Sequence, residues 1–439
     1  MVHRLDIGDA DFAKNMRALV HTKREQDDAV HDAVREILQR VAQDGDAAIH
    51  AYTSQFDGVD LGVTGLRVGV QARDDAAQSC SQTLLHALAH AKDRIADYHH
   101  RMMPQDITYE DAQGVTLGAL WRPVTRVGIY VPGGLAAYPS SVLMAAVPAR
   151  VAGVKDIIMC VPTPDGTLVP EVFACAKLCG IEEIYSIGGA QAIAAMAYGS
   201  ETIAKVDKIV GPGNAYVAAA KRQTYGQVGI DMIAGPSEIL IISDTMQQPE
   251  HIAMDLLSQA EHDENAQSIL ICDDKDFAHK VERAVDHHLK TLPRAAIAGK
   301  SWQEYGAIII VQDLWQEAAP LIDVLAPEHL MLAMENARDF VPKIHHAGAI
   351  FVGAHTPEAV GDYLAGPSHV LPTARSARFS SGLGVHDFLK RSSLIGCTAQ
   401  SLKTLGSDVV HMARAEGLEA HARSVALRIE SNENNKHDH

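Results

Sequence analysis

Ser258-Gln259-Ala260-Glu261-His262 closes a predicted helix, Pro249 to Glu261, and puts Gln259 and His262 three residues apart. That spacing stacks an amide oxygen and an imidazole on one helical face, which is half of a metal site. Pro327-Glu328-His329, Gly361-Asp362-Tyr363, Ser368-His369-Val370 and the stretch Glu416 to His421 each add a carboxylate or an imidazole in a short, sharply punctuated segment. Together they point to metal-dependent acid–base chemistry. Against this stands composition, because 23 His and 55 acidic residues in 439 make chance neighbours common, and a lone helical His usually serves structure.

Longer blocks sharpen the reading. Val206-Asp207-Lys208-Ile209-Val210-Gly211-Pro212-Gly213-Asn214-Ala215-Tyr216, Ile230-Asp231-Met232-Ile233-Ala234-Gly235-Pro236-Ser237-Glu238 and Leu257-Ser258-Gln259-Ala260-Glu261-His262 occur in that order. They are followed by Ala326-Pro327-Glu328-His329-Leu330, Gly366-Pro367-Ser368-His369-Val370-Leu371-Pro372-Thr373 and Ser380-Ser381-Gly382-Leu383. This series resembles the signature blocks of the histidinol dehydrogenases, and the likeness runs from about residue 30 to about residue 430. Two positions depart from it: Ala374-Arg375 stands where the family often has Gly-Gly, and Gly384 replaces a frequent Ser.

The resemblance implies a zinc- and NAD-dependent enzyme that oxidises L-histidinol through L-histidinal to L-histidine, the last step of histidine synthesis. By its motifs Gln259, His262, Asp362 and His421 match the ligands of one zinc ion per chain, and Glu328 and His329 match the catalytic pair. Ser237, Glu416 and His369 match substrate-pocket positions, together with Gln259, His262, His329, Asp362 and His421. Tyr130, Gln191 and Asn214 match NAD contacts. It also implies an intertwined homodimer in which the segment carrying Glu416 and His421 completes the partner's site.

The residues read by themselves constrain the chemistry. An amide, two imidazoles and a carboxylate form a harder donor set than the thiolates of structural zinc, so further nitrogen or oxygen ligands from a substrate can join the shell. Aldehyde oxidation needs a nucleophile to make the carbonyl tetrahedral, and no Cys lies in any block; water must serve, with Glu328 as its base. His329 suits the proton traffic, since an imidazole titrates near neutrality. Adjacent side chains diverge in a regular strand, so Glu328 and His329 share a site only if Pro327 ends the preceding element and the chain turns there. Without the blocks the pair reads equally as a loop end, Ser237 as a turn hydroxyl, Glu416 as a solvated helical carboxylate and Asn214 as a helix N-cap. Rival functions are a related zinc/NAD dehydrogenase of another polar alcohol, against which the intact Ala326 to Leu330 block argues, a zinc hydrolase, and a non-catalytic binding protein.

Composition sets outer bounds. A formal net charge of −17 repels phosphate backbones and favours a cationic small molecule, so nucleic acid is not an expected partner. Six Cys without a Cys-x-x-Cys pair, and an N-terminus rich in Asp rather than apolar residues, suit reduced thiols in the cytoplasm. The uncharged run Val127 to Ala149 is broken by three prolines and cannot span a membrane.

The elements that must position these residues follow from periodicity. Asp28 to Val41 and Asp74 to Met102 read as helices, with Leu66 to Val70 the one strand between. From Val127 strand-length apolar runs alternate with helices up to Tyr225, and the alternation restarts at Glu238 and continues to Val352, implying two doubly wound α/β sheets of similar build. After Pro372 the pattern becomes loop and helix, ending in Ala399 to Ala415 and Leu418 to Glu430, with Asn432 to His439 frayed. No Gly-x-Gly-x-x-Gly opens any unit; Gly211-Pro212-Gly213-Asn214 is the nearest equivalent. Together with the resemblance this divides the chain into an N-terminal segment (1–26), a discontinuous Rossmann-like domain (27–126 with 237–372), a second one that binds NAD (127–236) and a helical dimerisation segment (373–439).

Overall fold

Apolar runs form the middles of the central strands: Glu238–Ser243 and Gln267–Cys272 are buried along their whole length, as strands covered by helices on both faces must be. The computed structural model describes residues 2–22, 28–133 and 138–434. Among these, fifteen strands occur: β1 (His3–Asp6), β2 (Arg67–Val68), β3 (Ile107–Glu110), β4 (Val115–Pro123), β5 (Arg126–Tyr130), β6 (Asp156–Cys160), β7 (Glu183–Tyr185), β8 (Lys208–Val210), β9 (Gly229–Ile230), β10 (Glu238–Ser243), β11 (Gln267–Cys272), β12 (Ala307–Ile310), β13 (His329–Ala333), β14 (Ala349–Val352) and β15 (Leu389–Cys397).

Two six-stranded sheets share one topology. The first has the order β1-β12-β11-β10-β13-β14 and the second β2-β7-β6-β5-β8-β9. In each, three strands step outward, two more are added on the other side of the first, and an upstream strand closes the far end. This is the doubly wound pattern, with its break in strand order between β10 and β13 and between β5 and β8. β2 runs antiparallel to β7; the other neighbours within the two sheets are parallel. Local chemistry starts the intervening helices: Pro139, Pro170 and Pro249 occupy first-turn positions, while Asp274 and Asp313 accept from amides of the helices they cap.

Packing revises the sequence reading in four places. β1 belongs to the first sheet, pairing with β12, so residues 3–6 are part of that sheet rather than a separate segment. The helices between 28 and 101 cover the second sheet, not the first: Val34, Ile37, Leu38, Ile49 and Leu66 share a core with Tyr130, Ile158 and Ile193. Helix 74–102 is broken at Ser79-Cys80-Ser81, where Ser81 caps Gln82–Arg101 through the Leu84 amide. Finally, residues 389–397 form β15, and β3, β4 and β15 make an antiparallel sheet in the order β15-β4-β3. β15 is exposed along nearly its whole length, so no buried face imposes an alternating pattern on its sequence.

The two large sheets lie in one compact unit, Met1–Met102 with Val124–Phe388. Met103–Pro123 and Leu389–His439 form a second unit, built of the antiparallel sheet and the helices Ala399–Ala415 and Glu419–Asn434, which pack on each other. The frayed end expected after Asn432 is helical to Asn434, and 435–439 fall outside the described residues. Residues 134–137 of the run Val127 to Ala149 also fall outside them. Among the described residues no helix is long and apolar enough to cross a membrane.

Candidate active site

Glu238 opens β10 and His329 opens β13, and these neighbouring parallel strands bring their N-terminal ends together. His329 Nδ1 donates to the Glu238 carbonyl at 2.9 Å, which leaves Nε2 as the bare nitrogen. Nε2 is buried and has no partner among the described residues. Glu328 Oε2 accepts from the Glu238 amide at 2.8 Å, so the carboxylate stands 3.6 Å from His329 Nδ1. The adjacent pair therefore converges on one strand end. The turn that allows this is made by Ala326, which ends the helix Leu314–Leu325 in the left-handed region at φ 44°, one residue earlier than the proline. A side chain held there costs on the order of 1 kcal/mol or more, a strain placed beside Glu328 and His329.

The helix Pro249–Ala260 runs back to the same edge. Gln259 is buried, and its amide nitrogen, turned toward the acceptors around it, donates to Glu358 Oε1 at 3.0 Å and the Glu238 carbonyl at 3.1 Å. With both N–H bonds used, the amide oxygen is the atom left to bind something else. His262 Nδ1 bonds to the Ser258 carbonyl at 2.9 Å, and its Nε2 faces Asp362 Oδ2 at 4.0 Å. A ring anchored through one nitrogen and bare at the other is the arrangement of a metal-ligating histidine. Asp362 lies on the helix Glu358–Tyr363. Its carbonyl accepts from His369 Nδ1 at 3.1 Å, and His369 Nε2 in turn lies 3.3 Å from Ser141 Oγ. Ser237 immediately precedes β10, and its carbonyl pairs with the Gln267 amide. The three candidate NAD contacts are elsewhere, at the C-terminal edge of the second sheet. Tyr130 ends β5, and its hydroxyl accepts from the Gly189 amide at 3.1 Å. Gln191 is 1% exposed, and its Oε1 has no partner among the described residues. Asn214 does cap the helix Ala215–Thr224, accepting from Tyr216 and Val217, while no acceptor among the described residues takes the amides of Gly213, Asn214 and Ala215. Such amides at a helix start favour an anionic group.

The histidinol dehydrogenase family model matches residues 20–429. The chain belongs to the histidinol dehydrogenase family. It is 57% identical over 426 residues to the histidinol dehydrogenase of Rhodospirillum rubrum, covering 97% of this chain and 98% of that one. It is 55% identical over 429 residues to that of Rhizobium meliloti, covering 98% and 99%. The crystal structure of histidinol dehydrogenase from Elizabethkingia anophelis superposes with a TM-score of 0.94 at 35% identity, covering 98% of this chain and 99% of that one. Membership of this family makes the chain an oxidoreductase.

For a histidinol dehydrogenase the electrostatics of the first edge differ from a simple reading of its residue types. Burial pushes the His329 imidazole down to about 4, outweighing the nearby Asp362 carboxylate, so the ring is neutral across physiological pH and does not titrate near it. His369 is depressed by burial as well. The sequence reading omits Glu358, which is 2% exposed and whose Oε2 has no partner among the described residues. Burial, with Asp362, Glu328 and Asp255 nearby, holds its carboxyl well above the usual carboxylate range. His329, Glu358 and Asp362 place one ligand atom each within 4.8 Å of one another. The available sequence signal is the i, i+4 pair Glu358 and Asp362 just after Pro357. The edge thus gathers Gln259, His262 and Asp362 of the expected zinc set and adds His329 and Glu358. His421 and Glu416 lie in the second unit, exposed, at and just before the helix Glu419–Asn434. Bare imidazole nitrogens, carboxylates and an amide oxygen fit a divalent cation with room for added ligands. All six cysteines are free, five of them buried, and burial pushes the Cys272 thiol up to about 12.

Proposed function

We propose that the protein oxidises L-histidinol through L-histidinal to L-histidine in the cytoplasm, using two NAD and one zinc ion per chain, and works as a homodimer. The observation that carries this reading is the bare, buried Nε2 of His329, set beside Glu328 on the edge that also presents Gln259, His262 and Asp362. Zinc, when bound through Gln259, His262, Asp362 and His421, supplies orientation and charge stabilisation for the substrate, and NAD supplies the hydride acceptor. His329 Nε2 takes the proton of the alcohol in the first oxidation. In the second, Glu328 draws the proton from the water that adds to the aldehyde carbon. Ser237 and His369 lie where they can border the substrate, and Glu416 offers a carboxylate to its ammonium.

NAD lies on the second sheet, against Tyr130, Gln191 and Asn214. The Glu416 to His421 segment of one copy completes the site of the other. In support, both side chains are exposed in the second unit, among exposed apolar neighbours Met412, Leu418 and Leu427.

Formation of reduced nicotinamide from NAD and histidinol, before and after chelation, tests the main reading. Absence of turnover by metal-loaded protein would reject it. Co-expression of Glu328→Gln and His421→Asn chains tests the shared site: purified heterodimer should regain about half of wild-type turnover, since one site collects both lesions and the other none. Background activity alone would mean that each chain completes its own site.

A further inference from the structure

Lys221 and Asp231 are buried behind the C-terminal edge of the second sheet, their side chains 4% and 0% exposed, and form an ion pair. Both also grip a single residue. Lys221 Nζ donates to the Gly211 carbonyl at 3.0 Å, and Asp231 Oδ2 accepts from the Gly211 amide at 2.8 Å. Gly211 follows β8 directly and sits at φ 118°; a Cβ there would lie 2.1 Å from the Tyr130 carbonyl oxygen. Its backbone is therefore pressed onto the end of β5, at the break in strand order. Pro212-Gly213-Asn214 and the helix Ala215–Thr224 follow.

A buried ion pair gains little stability over an apolar pair of similar size. What an apolar pair cannot do is satisfy an amide and a carbonyl that have left the strand ladder and are shut away from water. One cation and one anion that neutralise each other satisfy both. The result is a turn fixed from behind by side chains, while the amides of Gly213, Asn214 and Ala215 meet no acceptor among the described residues.

We infer that Lys221 and Asp231 are positioning residues for the cofactor, holding the 211–214 turn against Tyr130 before the dinucleotide arrives. This rests on assigning that turn to NAD, as proposed above. Preorganisation removes an ordering cost that binding would otherwise meet. Asp231 also begins the segment that runs on to Ser237 and Glu238, so the same clamp joins the cofactor turn to the acid–base edge.

The test is NAD binding by calorimetry to three proteins: wild type, Asn214→Ala, and the double variant Lys221→Met/Asp231→Leu, which removes both grips without stranding a buried charge. Binding of zinc and of histidinol is measured on each. The double variant should bind NAD about tenfold or more weakly, with zinc and histidinol affinities unchanged. Lys221→Met/Asp231→Asn, which keeps an acceptor for the Gly211 amide, should recover part of the loss. NAD affinity within about threefold of wild type overturns the inference, as does an equal loss for all three ligands. If Asn214→Ala weakens NAD and the double variant does not, only the clamp falls; if neither does, the assignment of the turn falls with it. Hydrogen exchange on the intact wild-type protein covers the case of a double variant that does not fold. The Gly211 amide should be protected without NAD, and those of Gly213 to Ala215 only with it; free exchange at Gly211 without NAD overturns the clamp.

Discussion

The two large sheets have the same strand order, yet their candidate site residues stand on opposite edges. In the first, Glu238, Glu328 and His329 lie where β10 and β13 begin; in the second, Tyr130 and Gly211 lie where β5 and β8 end. Doubly wound sheets offer a ligand crevice at the carboxyl ends of their strands, at the break in strand order. In the second sheet that position holds the 211–214 turn, whose Gly213, Asn214 and Ala215 amides meet no acceptor among the described residues. In the first the crevice is stitched shut: Asp244, just past β10, accepts from the Met246 amide and, across the break, from the Glu335 amide just past β13. The same edge is acidic, and Asp273 there is pushed up by burial and by Asp244, Asp274 and Asp313. An anionic dinucleotide would be repelled from this edge, which agrees with the proposal that NAD lies on the other sheet. Strand order provides an opening; the charges and loops at its rim decide whether it is used.

Lesions that separate the edges test this comparison, and the largest effect belongs to the first sheet. Glu328→Gln should slow histidinal oxidation by about a hundredfold to ten-thousandfold, the usual contribution of a positioned base, and leave NAD affinity intact. Equal losses in the alcohol and aldehyde steps would dismiss the proposed division of labour with His329. Next comes Glu358→Ala, which frees the Gln259 amide and should weaken zinc by about tenfold to a hundredfold. Glu358→Gln, retaining an acceptor oxygen, should stay near wild type in metal titrations; a loss as large as that of Ala would make Glu358 a ligand and not an anchor.

On the second sheet the contrasting lesion is Asn214→Ala. Removing the cap should cost about 1 kcal/mol of stability and weaken NAD while zinc content stays whole. Loss of zinc in that variant would show that the two edges are not separable.

The helix layer behind the second sheet should respond to pH instead. His99 is buried with both ring nitrogens unpartnered among the described residues, and burial pushes its pKa from 6.5 down to about 4. The unfolded chain binds this proton below 6.5 and the folded protein refuses it, so stability is full above that value and is lost as pH falls toward 4. Denaturation curves of His99→Leu should lose that stretch of pH dependence, and an unchanged slope would exonerate His99. Gly384→Ser places a Cβ 3.9 Å from His99 Cε1, and its hydroxyl should add about 1 kcal/mol by pairing the ring.

The smallest effect is expected in the loop that bonds Glu238. Ala374 and Arg375 stand at φ 51° and 64°, the conformation for which Gly-Gly is suited, and the Ala374 amide donates to Glu238 Oε1 at 3.1 Å. The departure from the family pattern thus keeps the geometry at the expense of strain. Ala374→Gly should raise thermal stability by up to about 1 kcal/mol without altering turnover; a fall would show that the methyl packing outweighs the strain.

By itself the sequence determined the alternation of strands and helices from Val127 to Val352, because strands covered on both faces are centred on apolar runs and several of the helices between them open on a proline or a capping Asp or Asn. It also singled out Glu328-His329 as the candidate catalytic pair and Gln259 with His262 as candidate ligands, since both are local arrangements written in short motifs. Only the tertiary structure decided which sheet residues 28 to 101 cover, because an amphipathic helix records that it has a buried face and not whose. The strands β3, β4 and β15 were equally silent, since the exposed β3 and β15 and the half-buried β4 have no fully buried face to write an alternating pattern into their sequences. Glu358 and the Lys221–Asp231 pair belong to the same class. The role of a buried ionisable group is legible only once the fold has brought its partners within a hydrogen bond of it.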